Sequence, residues 1–278
     1  MQTMWSDFVR ERAGVKFSGG EVLVSVKGGE IVTGGAPLDL IVRKVEEVRA
    51  LFYRTAELLI EAPHRKRGPP SPEIQEICRP WLFQAAPGSY QFVVRVQQPA
   101  QMNLFPDKSV QIEKVATTFL QIIKASADDP EDALAEVVPD PEYRATFLKL
   151  TRNLAPTGRG FSQLEVKPVT ATDTRPIILL PGSREAINHA LKKQSTPPSD
   201  ASAREEVQLR GVLHALHLDQ DWLEITIDSS TGQKSIRIYD AGETVDDVVG
   251  PMVNREVIID AYVTHEDRHL LRDIQAAE

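Results

Sequence analysis

A chain of 278 residues, 41% hydrophobic and 26% charged, has the length of one large domain or two modest ones and the composition of an ordinary globular protein. That composition excludes a disordered or fibrous protein, and with no apolar run of about 18 residues a membrane-spanning helix is excluded as well. A single cysteine, Cys78, fits a reducing compartment, and the acids and arginines among the first 14 residues do not suit a signal segment, so a cytoplasmic protein is expected.

In chain order, residues 21–27 (EVLVSVK) alternate as a strand does. Gly28 and Gly29 supply a turn, and residues 30–33 (EIVT) are expected to return as the second strand of a hairpin. From residue 38 to 60 the apolar positions Leu38, Ile41, Val45, Val48, Phe52, Ala56 and Leu59 recur every three or four residues, which predicts a long amphipathic helix. Glu46, Glu47, Arg49, Arg54 and Glu57 are expected on its wet side. A proline-rich basic loop (residues 64–72), a short helix and strands at 81–83 and 89–97 follow. They suggest a small mixed sheet with the long helix over one face. Further helices are predicted at 109–124, 131–138 and 141–154.

A second sheet region is expected from about Phe161, with strands at 162–167 and 176–180 and a helix capped by Ser183 running to Lys193. The polar, proline-rich stretch 194–203 (QSTPPSDASA) is a linker. Beyond it, five strand candidates and one short helical turn in about 75 residues suggest a small closed barrel of the OB or SH3-like kind. The fold class is therefore α+β. Residues 1–168 form the α+β domain, 169–193 a strand–helix connector, 194–203 the linker and 204–278 the small barrel.

Net charge is −8, but it is unevenly spread. From Arg204 onward the chain carries seven Lys/Arg against sixteen Asp/Glu, while the rest is nearly balanced at 25 against 24. An acidic barrel is a poor grip for phosphates, so direct nucleic-acid binding by it is not expected. The basic residues Arg65, Lys66 and Arg67 suit a solvated loop.

Motifs for catalysis are missing. His214 and His217 stand three apart, and in a strand they diverge unless a bulge intervenes. His265 and His269 flank a hairpin tip, so no metal site is expected. Cys78 reads as a small buried hydrophobe, Ser183 lacks the second glycine of a nucleophile elbow, and no phosphate-binding loop or convincing paired-carboxylate site occurs. Neither an enzyme nor a cofactor is expected.

One short motif stands apart. Gln101-Met102-Asn103-Leu104-Phe105, flanked by Pro99 and Pro106, resembles the peptide through which bacterial proteins dock onto the DNA sliding clamp. The resemblance implies Leu104 and Phe105 as apolar anchors, Gln101 as the polar reader and Met102 in place of the more usual leucine. The same two apolar residues also suit a loop tucked against its own core.

Aromatic residues are enriched at interfaces, which makes Trp222, Tyr239 and Tyr262 candidates for a recognition face, although Trp222, opening an alternating strand, is expected to pack in the core. Met252 and Arg255, in residues 250–255, form a second candidate patch. The expected function is that of a non-catalytic binding or regulatory protein whose partner is another protein. That partner is a basic effector, as in a toxin–antitoxin or defence setting, or the sliding clamp. A metal-dependent hydrolase with an unfamiliar motif is the further alternative.

Overall fold

Val22, Val24 and Val26 turn to one face of strand β1 (Phe17–Lys27) and are fully buried. A computed structural model describes residues 16–32, 34–85, 90–98, 106–169, 174–194, 205–229, 232–242, 245–264 and 267–277. In it β1 is the centre of a five-stranded sheet of order β2-β3-β1-β4-β5, completed by β2 (Arg79–Gln84), β3 (Tyr90–Gln97), β4 (Gln163–Pro168) and β5 (Ile177–Leu179). Every pairing is antiparallel, so the sheet is not mixed as expected.

The expected hairpin partner of β1 is also replaced. Gly28 and Gly29 do turn the chain with positive φ, but residues 30–32 form no ladder with β1. Glu30 N–H donates to Gly160 O at 2.9 Å and Ser162 N–H to Lys27 O at 3.0 Å, which leads β4 in beside β1. A β-carbon on Gly29 would lie 2.5 Å from Gly160 O, so the close crossing requires glycine there. No second sheet begins near Phe161: β4 and β5 extend the first one, because Leu164 and Val166 continue its buried face.

The described helices are α1 (Leu38–Leu59), α2 (Pro72–Ile77), α3 (Pro106–Asp128), α4 (Asp132–Val137), α5 (Pro141–Leu154) and α6 (Pro181–Gln194), and the sheet is covered chiefly by α3 and not, as expected, by the long α1. The helix packed directly on β1 is α3, and α1 lies against α3 and α5. Gly20 admits the approach, since a β-carbon there would sit 2.4 Å from Ala116 Cβ. Phe52 of α1 stacks on Phe119 of α3 with centroids 4.5 Å apart. Leu38, expected inside, is 78% exposed. Ser183 lies within the first turn of α6 rather than before it, and its Oγ accepts from Leu180 N–H at 3.3 Å.

The remaining strands, β6 (Glu205–His217), β7 (Trp222–Ser229), β8 (Gly232–Tyr239), β9 (Glu256–Val263) and β10 (His269–Ala276), close into a ring of order β10-β8-β7-β6-β9. Leu213, Leu223, Ile225, Ile238, Val257 and Ile259 alternate inward and fill it. Strand β6 serves both neighbours, pairing with β9 up to Val212 and with β7 from Val212 onward. Gly211 sits at this hand-over, where a β-carbon would meet Thr226 O at 2.3 Å. A helical turn (Val245–Val249) and a tight turn (Gly250–Met252) join β8 to β9.

The ring docks on the helices through arginines. Fully buried Arg54 of α1 donates from Nε to Asp247 Oδ2 at 2.7 Å, and Arg65 reaches the same oxygen at 2.9 Å. Glu57 ties the two arginines together, accepting from Arg65 at 2.8 Å and from Arg54 at 3.3 Å. Fully buried Arg152 of α5 pairs with Asp273 of β10 and donates to Ile274 O at 2.6 Å. Arg184 of α6 donates to Arg152 O at 2.7 Å and to Ala276 O at 3.2 Å. The supposed wet side of α1 is thus corrected: Glu47, Arg54 and Glu57 are buried because α5, the 64–68 loop and the ring cover that side. The basic loop is likewise engaged, Arg67 reaching Asp221 at 2.7 Å. Part of the acidic excess of the ring therefore faces the protein's own arginines.

Candidate functional site

Alternation decides what the ring shows to solvent. Leu223 and Ile238 face inward, so their strand neighbours Trp222 and Tyr239 face outward, directly paired across β7 and β8. The same rung continues on both sides. His217 of β6 pairs with Trp222, Leu270 of β10 with Tyr239, and Tyr262 of β9 with Leu270. A belt of five side chains, His217-Trp222-Tyr239-Leu270-Tyr262, thereby crosses all five strands at one end of the ring, and each is half-buried. The expectation that Trp222 packs in the core is corrected. It opens its strand as predicted, but on the opposite face from Leu223.

Three arginines stand over the belt. Arg237 lies 4.7 Å from the Trp222 ring centroid, Arg268 4.5 Å from that of Tyr239 and Arg272 5.6 Å from that of Tyr262. His217 stacks on Trp222 at 5.2 Å, and the indole N–H donates to Gln220 Oε1 at 3.0 Å. Both contacts fix the orientation of the indole. Leu218, 38% exposed, continues the apolar surface into the β6–β7 loop. Glu224 accepts from Arg237 at 3.3 Å, and Asp221 is held by Arg67, so the rim carries both signs of charge.

The other candidates lie elsewhere. Met252 is buried and Arg255 half-buried, both beside the seam between ring and helices, lining a recess with Arg43 and Lys44 of α1. Trp222 with Tyr239, and Met252 with Arg255, are therefore two separate places. Gln101, Met102, Leu104 and Phe105 lie outside the described residues, as do most of the 194–203 linker and His265.

Chemistry at the remaining candidates is muted. A bulge does occur at His214, where the β6–β7 register shifts between Leu213 and Ala215. Even so, among the described residues no group of three or more His, Cys, Asp or Glu is placed to hold a metal ion. Cys78 is buried with its Sγ 3.8 Å from Phe52 O, and burial pushes its thiol up to about 12. No helix among the described residues is long and apolar enough to cross a membrane.

Sequence reasoning missed the seam. Lys44, Glu47, Leu51, Arg54 and Leu58 form a stripe at helical spacing in α1, a line of charges among apolar residues that marks a face covered by a charged partner. That spacing was the available signal. Its partner Asp247 lies 193 residues from Arg54. Set against protein-family models, curated proteins and solved structures, the chain matches none.

Proposed function

We propose that the protein is a non-catalytic binding protein that recognises another protein through the outer face of its C-terminal ring. The observation that carries this reading is the aromatic belt, with Trp222 and Tyr239 at its middle and arginines stacked on three of its rings. Tryptophan, tyrosine and arginine in a semi-rigid cluster with a polar rim are the residues that dominate binding energy at protein interfaces. A basic effector would meet Asp219 of the β6–β7 loop and Glu224, Asp221 being held by Arg67, while the arginines over the belt call for acids on the same partner. The ring is read as an OB-type barrel. Its third and fifth strands, β8 and β10, pair in parallel, and the connecting helical turn falls between its third and fourth strands.

The test is capture from native lysate with wild-type protein and a Trp222→Ala/Tyr239→Ala variant, with nuclease treatment in parallel. A protein retained by the wild type, lost by the variant and insensitive to nuclease supports the reading. Recovery that disappears with nuclease instead makes the belt a stacking platform for single-stranded nucleic acid. The motif Gln101–Phe105 supports a second reading, docking on the sliding clamp. A Leu104→Ala/Phe105→Ala variant that alone loses the clamp would establish it.

A further inference from the structure

Where the C-terminal end of α1 meets α3 and α4, the helices leave an open groove of about 970 Å³, lined by their side chains and by the turn before α5. Thr118, Gln121, Ala125 and Asp128 follow one face of α3 at spacings of three and four residues, so the groove runs for about 15 Å along that helix. Leu58 and Leu59 enter from α1, and Ala133 and Val137 from α4, each half-buried, which gives the groove an apolar lining. Isolated apolar side chains on a surface are ordinary, but a contiguous apolar lining with a polar rim marks an interaction site.

Its charge is one-sided. Among the described residues Lys124 is the one cation that lines it, and that ammonium is paired with Asp128. Glu61, Glu136 and Asp140 are exposed at the groove, and no cation among the described residues pairs with them. Asp140 Oδ1 caps α5, accepting from Glu142 N–H at 2.8 Å and Tyr143 N–H at 3.1 Å, but these neutral donors leave its charge in place. An apolar or anionic partner would cover three carboxylates without counter-charge, which is costly, whereas a cationic one meets them.

We propose that this groove docks a cationic amphipathic helix of a partner protein, its apolar stripe on Leu58, Leu59 and Val137 and its lysines or arginines toward Glu61, Glu136 and Asp140. A helix suits the lining better than an extended peptide does. No described strand borders the groove, so a strand would find no backbone edge to pair with, while the face of α3 offers rows into which the ridges of another helix fit. Ala125 and Ala133 are small and let that helix approach closely. The groove shares no residue with the aromatic belt, so the two surfaces stand or fall separately.

Fluorescence anisotropy of labelled synthetic peptides with the full chain, at about 0.15 M salt to screen distant charge, tests this. The probe is a Leu/Lys peptide of about four turns with its leucines at helical spacing, set beside a peptide of the same composition with that spacing scrambled. The patterned peptide should bind saturably and at least about tenfold more tightly than the scrambled one. Glu61→Lys/Glu136→Lys should weaken it at least about tenfold, and Glu185→Lys/Asp228→Lys, at exposed acids outside the groove, by less than about twofold. Trp222→Ala/Tyr239→Ala should leave the affinity unchanged. No saturable binding of the patterned peptide, or equal affinity for the two patterns, overturns the proposal without any variant. Equal weakening by the two lysine variants assigns the attraction to net charge, and loss in the aromatic variant assigns it to the belt. Either result overturns the proposal.

Discussion

The seam and the belt use the same side chain for opposite ends. At the seam Arg54 and Arg152 are removed from water and surrounded by carboxylates and carbonyl oxygens, and each is fully buried. On the belt Arg237 and Arg268 lie over aromatic rings with their heads accessible. Burial commits an arginine to one partner, since leaving either charge alone in the interior costs several kcal/mol. Exposure leaves it free to exchange one partner for another at about 1 kcal/mol or less. The seam therefore holds the protein together, and the belt is available to something else.

The sharpest way to break that contrast is Arg152→Ala. It strips Asp273 of its charge partner and removes the donors to Ile274 O and Asn188, so a loss of about 3–5 kcal/mol is expected in urea unfolding. A loss below about 1 kcal/mol would put the seam on the same footing as a surface pair.

Asp273→Asn should cost less, about 1.5–3 kcal/mol, because the amide keeps one acceptor for Arg152. It also carries a pH signature. Burial would raise the Asp273 carboxyl, but Arg152 outweighs it and holds the group below its ordinary value. Its stabilisation is present above the unfolded value of about 3.9 and is lost as pH falls through the folded one. Tm measured from pH 6 downward should fall less steeply below about pH 4 in the variant than in the wild type.

Trp222→Ala inverts the balance. The stability cost should be about 1 kcal/mol, from the lost stacking with His217 and Arg237, while partner affinity falls by about 30-fold or more. Equal binding by variant and wild type in a titration would remove the belt from the interface. Arg67→Ala should have the smallest effect, about 0–1 kcal/mol, since Arg67 and Asp221 are 40% and 35% exposed. Its difference from wild type should shrink further as salt is raised, because exposed pairs are screened.

Much of the local structure was legible. The 3.6-residue recurrence in α1 and the alternation in β7 and β8 gave each element its place to within a few residues. The partner of β1 was not legible, because a strand alternation states which face is buried and not which strand lies alongside. Glycine turns and a nearby EIVT favour the local hairpin, yet backbone groups of Gly160 and Ser162 take the available hydrogen bonds. At the candidate site, Trp222 and Tyr239 were visible as aromatic strand residues, but their outward direction depended on the burial of Leu223 and Ile238. The single-residue step between faces is invisible until a core exists.

From its residues alone this chain determined that it is α+β, that its helices are amphipathic, that its last part is a ring of short alternating strands, and that this part carries the excess acid. These follow from periodicity and composition, which act over a few neighbouring residues. Only the tertiary structure decided that Arg54 meets Asp247 and Arg152 meets Asp273. It also decided that Trp222, Tyr239, Leu270 and Tyr262 share one rung. Such pairings join residues up to 193 positions apart, and their specificity comes from burial and register, which a linear pattern does not contain.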